Sequence, residues 1–391
     1  MRSIDDEERR ARLGIRHHLA APAGSAVEAA ASIVGLHSSD PATVYLSARA
    51  RVAGFEVADL EGALYDDRTL VRMLGMRRTL FVIPRDLAAA MNEACTRAQV
   101  GAERSRLVRA LEDQSIAIDG QAWLDEVADG TVAALRQLGE APATRLTREV
   151  PELGLKLRFG EGTTWATEVG ISTRVLFLLA TEARIVRARP LGSWISGQYR
   201  WAPLDRWLGA PLDPIERTDA ARELLTRWLR AFGPATETDV RWWTGWTAKL
   251  ARATLTSLAA VEVGLESGST GYVLPDDADP APRAEPWVAL LPSLDPTVMG
   301  WKERDWYLGG HAPRLFDRNG NAGPTVWADG RVVGGWGHTE SGDVVVRLLD
   351  EVGAEKRAAI DAEAARVASW LDGVWLRPRF RTPLDRELSG S

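Results

Sequence analysis

Apolar positions between residues 217 and 274 fall first into helical and then into extended periods. Residues 220–232 carry them at three- and four-residue spacing, which places them on one face of a helix that ends at Gly233-Pro234. Thr236 follows, with Asp239 three residues on, close to a capping box. A short helix is predicted from about Glu237 to Trp243, stopping near Gly245, where glycine accepts left-handed backbone. A second helix from about Thr247 puts Leu250, Ala253/Thr254 and Leu258 on one face, and the extended runs 261–265 and 271–274 close the segment. Two short helices across a glycine turn are the helix-turn-helix pattern, used above all to seat a helix in a DNA groove.

The pattern recurs. Residues 141–154 align without gaps on 233–246. They follow a helical stretch (123–138) and precede another (about 165–183), then extended runs at 184–189 and 194–201. An internal repeat of about ninety residues is implied. The N-terminal section fits more loosely, with helices predicted at 5–19, 26–35 and 57–65 and apolar strands at 70–76 and 78–83. Residues 275–282, rich in Pro, Asp and Ala, read as a linker. Beyond it, strands are predicted at 287–294, 325–327, 332–337 and 344–349, separated by tight turns such as Asp329-Gly330 and Ser341-Gly342. A helix at 354–371 and a last strand near 374–377 complete a small barrel or sheet. The fold class is α+β, with tandem winged-helix (helix-turn-helix) modules arranged around a C-terminal β-barrel or sheet. Its units span 1–110, 120–210, 216–278 and 285–391.

Composition narrows the classes. With 391 residues the chain holds several compact units. No apolar run approaches the roughly 18–20 residues that span a bilayer. The N-terminus is charged and lacks a signal peptide's apolar segment, so a cytoplasmic location is expected. A lone cysteine, Cys95, excludes internal disulfides and a cysteine-cluster metal site. The formal net charge of −6 requires any nucleic-acid contact to come from a local basic face. Only four of the 48 basic residues are lysines, so that face is built from arginine, whose planar fork suits phosphate and base edges.

With the strand Arg78-Thr79-Leu80-Phe81-Val82 and the segment Leu290-Leu-Pro-Ser-Leu-Asp295 in place, the whole chain resembles the winged-helix DNA glycosylases of the AlkZ/YcaQ type. The resemblance implies three winged-helix modules in a C around a β-barrel, duplex DNA in the hollow, and excision of bulky alkylated or crosslinked purines. It also implies a Gln-x-Gln or Gln-x-Asp motif just after the second N-terminal helix. Here that place holds His37-Ser38-Ser39, followed by Asp40.

Hydrolysing an N-glycosidic bond requires an accessible nucleotide, charge complementary to an oxocarbenium-like sugar, and a positioned water. The candidate catalytic residues are His37 to hold the water and take its proton, Ser39 for a second hydrogen bond, Asp40 for negative field, and Asp295 on a loop after an apolar strand. Each has a plainer reading. Asp40-Pro41 is a helix start, Asp295 suits an Asx turn, and His37 suits a loop histidine bonded to backbone. Candidate DNA contacts are Arg77 and Arg78 on the first ribbon, Arg187 and Arg189 (with Arg184) on the second, Arg241, Lys249 and Arg252 on the third unit's helices, and Lys302. His311 and His338 lack metal-ligand spacing and read as structural. No metal or organic cofactor is expected. A Schiff-base lyase step is not expected, although the N-terminal amine is formally available. The expected partner is double-stranded DNA, damaged or not. Two other readings stay open: a non-catalytic DNA binder (a regulator or lesion recogniser), and a small-substrate hydrolase using His37 and Asp40.

Overall fold

The computed structural model describes residues 2–160 and 167–389. Met1, with the N-terminal amine, and the expected helix start at 165 lie outside them. Among the described residues no helix is long and apolar enough to cross a membrane.

One connection pattern occurs three times. In the first unit the helix Ala26–Ser32 leads into the short strand Leu36–His37 and the helix Pro41–Arg49, and the ribbon Leu70–Leu74/Leu80–Pro84 follows. In the second, Gly120–Leu138 leads through Ala141–Pro142 to Ala143–Glu149, then Ile171–Thr181 and the ribbon Ile185–Pro190/Tyr199–Pro203. In the third, Arg217–Phe232 is followed by Glu237–Thr244, Ala248–Ser257 and the ribbon Val261–Leu265/Thr270–Val273. Each time the residues before the second helix pair with the second ribbon strand: Leu36 and His37 with Val82 and Phe81, Ala141 with Trp201, Ala235 with Tyr272. His37 therefore occupies a repeated structural position, between ribbon and helix.

Local chemistry accounts for the boundaries. Asp5 caps the helix Asp6–Arg16 by accepting from the Glu8 N–H, and three acids sit in the first turn, where the helix dipole favours them. Thr236 and Asp239 form the reciprocal capping box, and Gly245 ends that helix at φ 76°. Asp239 is fully buried, and its second oxygen accepts from the Lys302 and Glu303 N–H groups, fastening this helix to the C-terminal part.

Several expected elements differ. The helix expected over 165–183 is Ile171–Thr181, and the chain just before it forms the hairpin Lys156–Phe159/Thr167–Gly170. The pattern reading passed over the helix Val100–Asp113, although Leu107 and Leu111, four apart, are the residues it buries. The C-terminal sheet is open: Val288–Leu291, Thr325–Ala328, Arg331–His338 and Val344–Leu348 pair in chain order, with the first and last as edges. Trp336 packs on one face with Ile360 and Val367 of the helix Ala354–Leu371, while Gly335 and Gly337 on the other face lie against Leu384 and Leu388. No strand forms at 374–377. The Leu376 N–H donates to the His338 ring at 2.9 Å, and Pro378, just beyond, has no N–H for a ladder.

One continuous core joins the first unit, the third unit and the C-terminal sheet, running from Leu13 through Tyr45 and Trp228 to Trp327. Residues of the second unit enclose a core of their own, from Leu107 to Trp201.

Candidate active site and nucleic-acid interface

His37 ends its short strand with the ring edge-on to Phe81 at 5.0 Å between centroids. It is 6 % exposed. The Ser39 N–H donates to its Nδ1 at 3.4 Å, a long bond that places the ring proton on Nε2. No hydrogen-bond partner of Nε2 is found among the described residues. Burial, reinforced by the Arg77 charge and opposed by Asp295, drives the His37 pKa down to about 3. The imidazole is thus neutral at physiological pH. A pKa this low makes the His37 ring a weak proton acceptor.

Ser39 is half-buried, whereas the neighbouring Ser38 hydroxyl is enclosed without a partner. Asp40 is the N-cap of Pro41–Arg49, accepting from the Ala42 N–H at 3.1 Å. Its other oxygen accepts from the Arg379 N–H at 2.8 Å. Burial raises its pKa against the pull of these bonds and of the Arg379 charge.

Asp295 is wholly buried. Arg51, equally buried, grips it with two bonds of 2.8 and 2.9 Å. The Ser47 hydroxyl donates at 2.6 Å and the Thr297 N–H at 2.9 Å, which is the Asx turn the sequence allowed. Burial pushes its pKa up, but Arg51 and these bonds outweigh that and hold it below the ordinary carboxylate value. Arg51 also donates to the Thr297 hydroxyl, which meets Nδ1 of His17 at 2.8 Å. Asp295 thus positions the helix Pro41–Arg49, whose Ser47 it holds and whose cap is Asp40.

The arginines divide into two groups. Arg189 is spent on Glu61 and Asp66, Arg184 on Asp129 and Glu182, and Arg252 on Glu237, which also lies 3.9 Å from Arg241. Arg78 pairs with Glu103. Lys249 and Lys302 are exposed without an ion pair among the described residues. Arg77, by contrast, lies over the Trp242 ring at 4.0 Å with no carboxylate partner among the described residues, and Arg304 lies over the same ring at 5.0 Å. Burial and then Arg304 lower the Arg77 pKa to about 10. Arg187 is held against Tyr199 and Trp201, again without a carboxylate, and Arg379 donates to the Ser39 carbonyl at 3.3 Å. Two of these guanidiniums lie at the His37–Asp40 loop: Arg77 acts on the His37 charge and Arg379 bonds the Ser39 carbonyl. Arg304 and Arg379 were missed by sequence reasoning. For Arg379 the signal was the alternating run Arg377-Pro-Arg379-Phe-Arg381; for Arg304 there was none.

Arg77 and Arg78 stand at the ribbon tip with φ 51° and 63°. Left-handed backbone costs a residue with a Cβ roughly 1–2 kcal/mol. The strained turn sends the two side chains apart, Arg77 onto Trp242 of the third unit and Arg78 toward Phe177 of the second.

A family model described as DNA glycosylase AlkZ-like matches residues 30–370. The chain belongs to the AlkZ-like DNA glycosylase family. Its structure is similar to that of the Streptomyces sahachiroi DNA glycosylase AlkZ, with a TM-score of 0.73 and 20 % identity over 94 % of this chain and 97 % of that one. That likeness supports the AlkZ-like fold. A search among curated proteins gives no match. His311 pairs with Asp350, and His338, which accepts from the Leu376 N–H, lines a pocket together with Asp40 in this AlkZ-like chain.

Proposed function

We propose that this AlkZ-like chain is a monofunctional DNA glycosylase that hydrolyses the N-glycosidic bond of bulky alkylated bases in duplex DNA, its three helix-and-ribbon units acting as winged-helix modules. One observation carries the reading: a buried imidazole held neutral stands beside the Arg77 and Arg379 guanidiniums, which have no carboxylate partner among the described residues. Arg77, Arg304, Arg187 and Arg379 supply the attraction for phosphates, with Arg241, Lys249 and Lys302 at the periphery. Arg78, Arg189 and Arg252 are left out because carboxylates already neutralise their charges. The family's glutamines are neutral donors and acceptors, and a neutral histidine is a close substitute for one of them. His37 orients the attacking water through Nε2–H, Ser39 offers a second hydroxyl, and Asp40 supplies negative field to the oxocarbenium-like sugar.

Release of an N7-alkylated purine from duplex DNA is expected to fall about 10²-fold in His37→Ala, the scale of losing one positioned donor. His37→Gln, which restores an N–H donor, is expected to keep most of the rate. Equal rates in wild type, His37→Ala and Asp40→Asn would sink the catalytic assignment.

A pH–rate profile provides a second test. Because the ring gains a proton only near pH 3, His37 introduces no inflection across pH 5–8, whereas a base of ordinary pKa gives one near about 6.5. An inflection there that vanishes in His37→Gln would overturn the donor role.

A second reading, DNA binding without excision, is favoured by the occupation of both Asp40 oxygens and the enclosure of Asp295. Intact duplex affinity with no base release from the wild type would select it.

A further inference from the structure

We propose that the segment Trp375–Arg379 is a strand-binding platform, with Trp375 stacking on an unpaired nucleobase and Arg377 and Arg379 holding the phosphates beside it. The nucleic-acid partner rests on the function proposed above, whereas the layout of the platform stands on the segment itself.

Exposure alternates along this segment. Trp375, Arg377 and Arg379 are exposed, Leu376 is buried and Pro378 is half-buried. Two bonds pin its backbone: the Leu376 N–H donates to the His338 ring at 2.9 Å, and the Arg379 N–H to the Asp40 carboxylate at 2.8 Å. Pro378 fixes its own φ and biases Arg377 toward extended backbone. Residues two apart in an extended chain share a side and stand roughly 6.6 Å apart. An indole and two guanidiniums thus follow one another along one exposed edge. That edge ends at the His37–Asp40 loop, where Arg379 also donates to the Ser39 carbonyl.

Trp375 is 41 % exposed and is the one tryptophan among the described residues that stands exposed. Its ring meets no other ring or guanidinium among them, and its N–H has no hydrogen-bond partner there. Trp370, five residues earlier, shows the contrast: it packs on Phe55 and Trp194 and donates to the Phe55 carbonyl. An indole left in water loses the burial that usually stabilises it, and its open face suits any base, since every base has a π-face.

The charges are available as well. Neither Arg377 nor Arg379 has a carboxylate within ion-pair distance among the described residues. Asp385, which feels the Arg377 charge, is buried and taken by Arg381. Asp40, which feels the Arg379 charge, is buried with both oxygens on backbone N–H groups. Aromatic rings interleaved with cations are the arrangement that holds single-stranded nucleic acid.

The test uses the full chain and two DNA duplexes, one fully paired and one with a single unpaired base. The wild type is expected to bind the second about tenfold more tightly, the scale of one base–aromatic stack. That preference is expected to vanish in Trp375→Ala and to persist in Trp375→Phe, with the salt dependence unchanged in both. Arg377→Gln is expected to keep the preference and to reduce the slope of log K against log salt by about 1 on both duplexes. Both positions are exposed, so these variants leave the core intact. A preference that survives Trp375→Ala, or a slope unaltered in Arg377→Gln, would overturn the proposal; release of the alkylated purine by the wild type would then leave the glycosylase reading standing. A Trp375-dependent preference in a wild type that releases no base keeps the platform and removes the catalytic reading. A wild type that binds neither duplex removes both.

Discussion

Asp295→Asn is expected to destabilise the protein by about 3–5 kcal/mol, the cost of stranding one member of a buried ion pair. Both partners have no exposed side-chain surface. The carboxylate accepts four bonds, from two Arg51 nitrogens, the Ser47 hydroxyl and the Thr297 N–H. Asparagine keeps the shape but turns one acceptor into a donor aimed at other donors, and it leaves the Arg51 charge enclosed. The double variant Asp295→Leu with Arg51→Met is expected to lose less than either single change, because no charge then remains buried. Urea denaturation of Asp295→Asn, Asp295→Leu, Arg51→Met and the double variant checks this, and a loss under about 1 kcal/mol in Asp295→Asn would remove the argument. Activity is expected to fall with stability. Thr43 donates to the Ser293 carbonyl and Ser47 to Asp295, so the same loop holds the helix that Asp40 caps.

Acid is expected to weaken the fold well above the carboxylate range. His17 and His37 are both buried, and each has its pKa lowered to about 3, chiefly by desolvation. The Arg51 charge contributes to the shift at His17 and the Arg77 charge to that at His37. The unfolded chain takes up these protons near an ordinary pKa of about 6.5, and the folded chain refuses them until about 3. Stability is therefore full above about pH 6.5 and falls as pH drops toward 3, by about 1.4 kcal/mol per pH unit for each histidine in mid-window. At pH 5 each costs about 2 kcal/mol. Asp295, with its lowered pKa, adds a loss only at still lower pH. Asp40 and Asp385, whose pKa values burial raises, act in the opposite direction as they protonate and offset part of the loss. Urea midpoints measured from pH 7.5 to 4.5 are expected to show the steep limb, shallower in His37→Gln, with His338, whose pKa burial also lowers, adding to what remains. A variant curve that superimposes on the wild type would show that His37 is not held neutral.

The third unit was legible almost residue by residue because its signals are local. The capping box at Thr236 and Asp239, the left-handed Gly245 and the apolar spacing through Leu255 each act within one helical turn. The match of 141–154 to 233–246 gave the second unit, and both segments pair with the second strand of their own ribbon. The expected strand at 374–377 failed because its pairing depended on a distant partner, and the Leu376 N–H found the His338 ring instead. The C-terminal sheet stays open for the same kind of reason. The alternation of its strands was readable, whereas closure depends on an edge that packing left unpaired.

The sequence by itself determined the family, the repeated helix-and-ribbon units and the place of the His37–Asp40 loop, since caps, periods and turns act between near neighbours. Tertiary structure decided what those residues do. Ionic and dielectric environment is set by chain segments hundreds of residues apart: Arg51 encloses Asp295, the Arg379 N–H reaches Asp40, and Arg304 joins Arg77 on the face of Trp242. A histidine that composition alone would let titrate near neutrality is held neutral, because burial and a neighbouring guanidinium penalise its charged form.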